Sequence, residues 1–125
     1  NSNLAQNIYL LDILFSSWIM PILKKGKRVW LEPGNNDFGW KHILQRHYPN
    51  HPSPNGKGSL FPVIPHDELE SLIFDIIETT DPVSSRGKLL YKKNVIFSNG
   101  QSAEIITITS SNGQIITSYP TKTVK

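Results

Sequence analysis

Two Asn-Gly pairs, Asn99-Gly100 and Asn112-Gly113, each set between runs rich in β-branched residues, constrain this chain more than any other feature. A type I′ turn needs positive φ at both central residues, which Asn and Gly tolerate, so an Asn-Gly pair between alternating apolar runs is the strongest local hairpin signal. Leu89, Tyr91, Val95 and Phe97 alternate with mostly polar positions before the first pair. Residues 102–110 alternate between the pairs, and 115–119 follow the second. The spacing predicts a three-stranded antiparallel meander.

Upstream the period changes from two to that of a helix. Leu69, Leu72, Ile73, Ile76 and Ile77 predict a helix over 67–79, with Asp67 and Glu68 in the first turn, where the helix dipole favours acids. Trp40, Ile43, Leu44 and His47 fall at i, i+3, i+4 and i+7 and predict a second helix over 39–48. Residues 4–23 are apolar on nearly every face, but Asp12 interrupts them, at a cost of about 2.5–3.5 kcal/mol at a bilayer centre. A buried helix ended by Pro21 is expected there, without stable membrane insertion. Lys24, Lys25, Lys27 and Arg28 read as a basic connector. Pro49, Pro52, Pro54, Pro62 and Pro65, with Gly56 and Gly58, exclude regular structure over 48–65 and predict a long loop beside a cleft or partner surface. Helices followed by strands give an α+β fold, N-terminal helices packed on a C-terminal antiparallel sheet. One domain is expected over 1–125, with 1–23 an apolar helix of open role and 38–121 the core.

The chain has no cysteine, which removes disulfides, thiolate metal sites and Cys nucleophiles. Its 13 Lys+Arg against 10 Asp+Glu give a net charge of +3, which permits an anionic partner without demanding one. A start at Asn1, with no basic signal-peptide region, is expected of a fragment cut from a larger polypeptide. Reactive groups concentrate in one place: Lys41, His42, Arg46 and His47 lie within seven residues. Two imidazoles with nearby cations are what acid/base cleavage of a phosphodiester requires. Zinc is disfavoured, because among His42, His47, His51 and His66 only His47 and His51 have the spacing of a helical ligand pair, and Pro49 separates them. No Gly-x-Ser-x-Gly elbow and no glycine-rich phosphate loop occur. On the strands, Thr107 and Thr109 share a face, Thr117 and Tyr119 share another with Ser118 opposite, and Lys88 and Lys92 share the face opposite Leu89, Tyr91, Val95 and Phe97. Lysines and hydroxyls on a cleft face beside a histidine helix are the minimum equipment for holding a phosphate. The competing reading makes His47 a core-edge residue, His42 a surface one, and the Thr and Lys positions an ordinary solvated sheet face.

Residues 38–47, followed by a helix and then a hairpin sheet ending Gly113-Gln114-Ile115-Ile116-Thr117-Ser118-Tyr119-Pro120, resemble the barnase/EndoU/colicin/RelE-type ribonucleases. They are most similar to the C-terminal toxin domains of contact-dependent growth inhibition proteins. The resemblance spans roughly residues 38–121 and lacks the double-His pattern of the EndoU branch. It implies an RNA endonuclease without metal or other cofactor, delivered from the surface of one bacterium into the cytoplasm of a competitor. It further implies tRNA as substrate, a cognate immunity protein, and room for a host factor such as elongation factor Tu. Carried onto this chain, His42 or His47 is the acid/base residue, Arg46 a phosphate-binding cation, and Thr117, Ser118 or Tyr119 a hydroxyl contributor. Lys41, Lys88, Lys92, Thr107 and Thr109 would complete the substrate face. A non-catalytic RNA-binding module and a membrane-active toxin are the alternatives; against the first, Tyr91 and Phe97 fall on the apolar face, away from any base.

Overall fold

The structure is a computed structural model describing residues 22–24, 26–49, 59–122 and 124. Its elements are β1 (Ile22–Lys24), β2 (Lys27–Val29), α1 (Gly39–His47), α2 (His66–Thr79), β3 (Val83–Ser85), β4 (Lys88–Ile96), β5 (Ser102–Ser110) and β6 (Ile115–Pro120). The class is α+β, as the pattern predicts, but the sheet is larger than a three-stranded meander. β3 adds a fourth antiparallel strand in the order β3-β4-β5-β6, and β1 with β2 forms a separate hairpin. Each of these extra strands is three residues long, too short for alternation to register in sequence. Most of the apolar segment 4–23 lies outside the described residues, and its last two, Ile22 and Leu23, are extended rather than helical.

The basic connector is the tip of the β1–β2 hairpin, where Lys24 pairs with Lys27. The Lys24 ammonium donates to the carbonyls of Glu78 and Thr80 at 3.1 and 2.8 Å. It thereby supplies positive charge to the C-terminus of α2, whose own last turn has no basic residue. At its other end α2 carries Asp67 and Glu68 in the first turn. The Glu68 carboxylate accepts from the main-chain N–H of Ser98 at 2.9 Å and from its hydroxyl, tying the helix to the β4–β5 turn; these bonds hold its carboxyl below the ordinary carboxylate range.

Leu69, Ile73, Ile76 and Ile77 of α2 share one core with Tyr91, Val95, Phe97, Ile105 and Ile115 of the sheet. Each such side chain contributes about 1.5–3 kcal/mol on burial. Helix α1 packs along the edge strand β6 and sends Ile43 and Leu44 into the same core. Its first turn has no side-chain cap; instead the N–H groups of Trp40 and Lys41 donate to the carbonyls of Glu32 and Pro33 at 2.9 and 2.8 Å. The loop folds back so closely that a Cβ on Gly34 would lie 2.0 Å from the Phe38 carbonyl oxygen.

Both Asn-Gly pairs sit in hairpin turns, but the turns are not the expected two-residue type. Gly100 and Gly113 have positive φ while the asparagines do not. Gly100 N–H donates to Phe97 O and Phe97 N–H to Gln101 O; Gly113 N–H donates to Ser110 O and Ser110 N–H to Gln114 O. Each is a three-residue loop, a type I turn closed by a left-handed glycine. The type I′ geometry occurs at Arg86-Gly87 instead, both at positive φ between Ser85 and Lys88. A two-residue loop at Asn99-Gly100 would have paired Lys92 with Thr107. The extra residue pairs Lys92 with Ile106 and Tyr91 with Thr107, which exchanges the faces.

Candidate active site

Between Ile108 and Thr109 the pairing of β5 with β6 shifts by one residue, so that Thr109 opposes Ile115 whereas Ile108 opposes Thr117. This irregularity turns Thr117 and Tyr119 away from the core and onto the face that carries Lys88, Leu90 and Lys92. Two rows cross that face: Leu90, Ile108 and Thr117 in one, and Lys92, Ile106 and Tyr119 in the next. α1 closes the β6 end of both rows with a histidine. Thr117 Oγ1 lies 3.1 Å from His42 Nε2, and the His47 ring stacks on Tyr119 with centroids 5.0 Å apart and planes at 25°. The two imidazoles meet edge to face at 6.1 Å.

The protons on both rings are fixed by main-chain groups. His42 Nδ1 lies 2.8 Å from the Asn36 carbonyl and His47 Nδ1 lies 3.0 Å from the Ser59 carbonyl. A carbonyl only accepts, so each Nδ1 carries hydrogen, and each neutral ring presents an unprotonated Nε2. On His42 that lone pair receives the Thr117 hydroxyl. His47 is 8 % exposed, and burial holds its imidazole below the usual histidine range, opposed by the Ser59 bond and reinforced by the nearby charges of His42 and Arg46. His47 is therefore held in its neutral form, and His42, half-buried, is the ring more open to solvent.

Arg46 stands one helical turn after His42 on the same side of α1. Its Nε and the Oε1 of Gln45 are buried side-chain atoms with no hydrogen-bond partner. Native interiors leave few such groups unpaired. Lys41 is exposed about 100° around the helix from His42. Lys88 and Lys92 are exposed on the open face, with Lys92 about 10 Å from Tyr119 across two strand spacings.

Three expected substrate-binding residues are elsewhere. Thr107, Thr109 and Ser118 have no solvent exposure and lie on the core side. Thr107 and Ser118 hydrogen-bond each other at 2.9 Å, and Thr109 donates to the Ser110 carbonyl. The three-residue turn before β5 put Thr107 and Thr109 there, and the shift between Ile108 and Thr109 put Ser118 there. Lys57 and His51 lie outside the described residues, and among the described residues no three of His, Asp and Glu are grouped to hold a metal ion.

The sequence reading missed Asn36 and Ser59, because each acts through its carbonyl and no side chain announces a backbone acceptor. The nearest signals are the turn-forming run Pro33-Gly34-Asn35-Asn36 and the Pro-rich loop. That loop's described end returns to α1: Phe61 N–H donates to His47 O at 2.7 Å, the Ser59 hydroxyl to Pro120 O, and the Tyr48 hydroxyl to Ile64 O at 2.7 Å. Comparison with protein families, with characterised proteins and with solved structures returns no match.

Proposed function

We propose that the chain is an RNA endonuclease whose active face is the open side of the sheet, with His42 at its centre. The observation that carries this reading is the pair of contacts His42 makes, Nδ1 to the Asn36 carbonyl and Nε2 to the Thr117 hydroxyl. Nδ1–H is committed to Asn36 O, which leaves the Nε2 lone pair on a half-buried ring beside a hydroxyl and a second imidazole, with Arg46 one helical turn further along α1. A neutral Nε2 takes the Thr117 hydroxyl proton as that oxygen takes the proton of the ribose 2′-hydroxyl, and the 2′-oxygen attacks the adjacent phosphorus. The bond to the 5′-oxygen breaks, and that oxygen takes a proton from the Tyr119 phenol, leaving a 2′,3′-cyclic phosphate. The Arg46 guanidinium and the Lys92 ammonium hold the charge that develops on the phosphoryl oxygens. His47 stays neutral beneath Tyr119, so that a second positive ring does not oppose protonation of His42.

The resemblance noted in the sequence extends this reading to a toxin delivered from a larger surface protein and acting on tRNA in a competitor's cytoplasm. A cell making such an enzyme needs an inhibitor, and an acidic immunity protein over Arg46, Lys88 and Lys92 would bind at a rate that falls with salt. The test is incubation of pure protein with total RNA and excess chelator. Cleavage to cyclic-phosphate ends that His42→Ala abolishes supports the reading. Binding without cleavage would favour an RNA-binding module, and leakage of lipid vesicles a membrane-active toxin.

A further inference from the structure

On the covered side of the sheet, opposite the face that carries Thr117, the β1–β2 hairpin and the β5–β6 turn border a cavity of about 190 Å³. Its apolar walls are Val29, Pro82, Leu89 and Tyr91. Val29 is 3 % exposed and Tyr91 2 %, so the core behind them fixes both in place. An apolar space of about 150 Å³ takes up benzene, and this one therefore has room for a single ring, or a short branched chain, with one polar group attached.

The rim is basic. Lys24 and Lys27 line it, and they oppose each other as a register pair at the end of the hairpin. Lys27 shares a strand face with the buried Val29, two residues on, whereas Arg28 takes the opposite face. Like charges set directly opposite on neighbouring strands repel. Among the described residues neither ammonium forms a salt bridge. Lys24 gives two of its three hydrogens to the carbonyls of Glu78 and Thr80, and Lys27 is exposed. Two cations thus stand together at the mouth of an apolar cavity.

We infer that this cavity binds a small organic acid, a carboxylate carried on one ring or on a short branched chain, and that it does so independently of the ribonuclease reading. The apolar body exchanges water for Val29, Pro82, Leu89 and Tyr91, and the carboxylate accepts hydrogen bonds from the two ammonium groups and offsets their repulsion. A neutral molecule of the same shape leaves that repulsion in place. A bare anion gains nothing from the apolar walls. The walls come from β2, from Pro82 just before β3, from β4 and from the turn at Gly113, segments far apart in sequence. Such a site exists only in the folded chain, so its ligand raises the thermal midpoint.

The probe is benzoate, with benzamide as the control for charge and acetate as the control for the apolar body. Benzoate should bind with a Kd of about 1 mM or tighter, and about tenfold or more tighter than either control. It should raise the thermal midpoint and shift the amide resonances of Leu89, Tyr91 and Gly113 at concentrations that leave His42 unmoved. Lys27→Gln, at an exposed position, should keep the native thermal midpoint without ligand, weaken benzoate about fivefold and leave benzamide unchanged. Benzamide binding as tightly as benzoate would show that the lysines recognise nothing, and acetate doing so would show that the cavity holds nothing. Resonances that move first around Arg46 and Lys92 would place the anion on the open face. Any of these results, no response at millimolar benzoate, or benzoate binding unchanged in Lys27→Gln would overturn the inference.

Discussion

The two faces of the β4–β5–β6 sheet draw on the same residue types for opposite ends. On the covered face Thr107, Thr109 and Ser118 have no exposure and spend their hydroxyls on each other and on main chain. On the open face Thr117, one residue from Ser118, gives its hydroxyl to an imidazole. A threonine in a strand thus has no fixed role: whether it is structural or chemical depends on which side a one-residue shift presents.

Removing the histidine at the centre of the open face should give the largest effect. His42→Ala is expected to lower RNA cleavage by about 10²–10⁴-fold while the thermal midpoint stays near that of the native protein. Unchanged cleavage would remove the chemistry from this face. A comparable change to the frame should act only on folding. At Gly113 φ is +105° and a Cβ would lie 1.9 Å from the Arg28 carbonyl oxygen, so Gly113→Ala should cost about 3 kcal/mol in urea unfolding.

A matched pair of substitutions sharpens the contrast between faces. Thr107→Val strands the buried Ser118 hydroxyl and should cost about 1–3 kcal/mol with cleavage by the folded fraction intact. Thr117→Val should cost under about 1 kcal/mol and slow cleavage roughly tenfold, the worth of one modest hydrogen bond. The reverse pattern would mean that the faces have been assigned the wrong way round.

An effect on stability alone concerns pH. Burial, helped by the charge of Asp67, pushes the Glu70 carboxyl up to about 7 from its ordinary 4.5. The folded chain therefore keeps a proton that the unfolded chain has released, and this contribution, complete below pH 4.5, is lost as pH rises through 7. Glu70→Gln should stabilise the protein by about 1–2 kcal/mol at pH 8, after allowance for partial exposure, and leave it little changed at pH 4.5. His47 has the opposite sign: its lowered affinity for a proton favours the fold above pH 6.5 and less so as pH falls. The Glu70→Gln protein should therefore lose stability on acidification below 6.5, which unfolding curves at several pH values would show.

The helices were legible because their apolar residues repeat at helical spacing: α1 and α2 begin and end within one residue of the spans read from 39–48 and 67–79. So was the link between turns and Asn-Gly pairs. What sequence could not supply was phase. Lys92 and Thr107 looked like members of one cleft because a two-residue turn would have made them so, and the left-handed glycine that adds a residue to the loop is compatible with the same dipeptide. The grouping of His42 and His47 with Thr117 and Tyr119 depended equally on the shift at Ile108, which no residue type marks. β3 and the β1–β2 hairpin escaped notice because three residues carry no period.

The commitment of both Nδ1 protons to peptide carbonyls has a consequence for how such a site can change. A side-chain partner can be deleted by one base change, whereas the oxygens of Asn36 and Ser59 persist whatever residue occupies those positions. Substitution there leaves the imidazoles correctly addressed; insertion or deletion in the loops that carry them does not. Variation in residue identity at positions 36 and 59 is then nearly silent for the histidines, and variation in loop length decides which nitrogen looks out over the sheet.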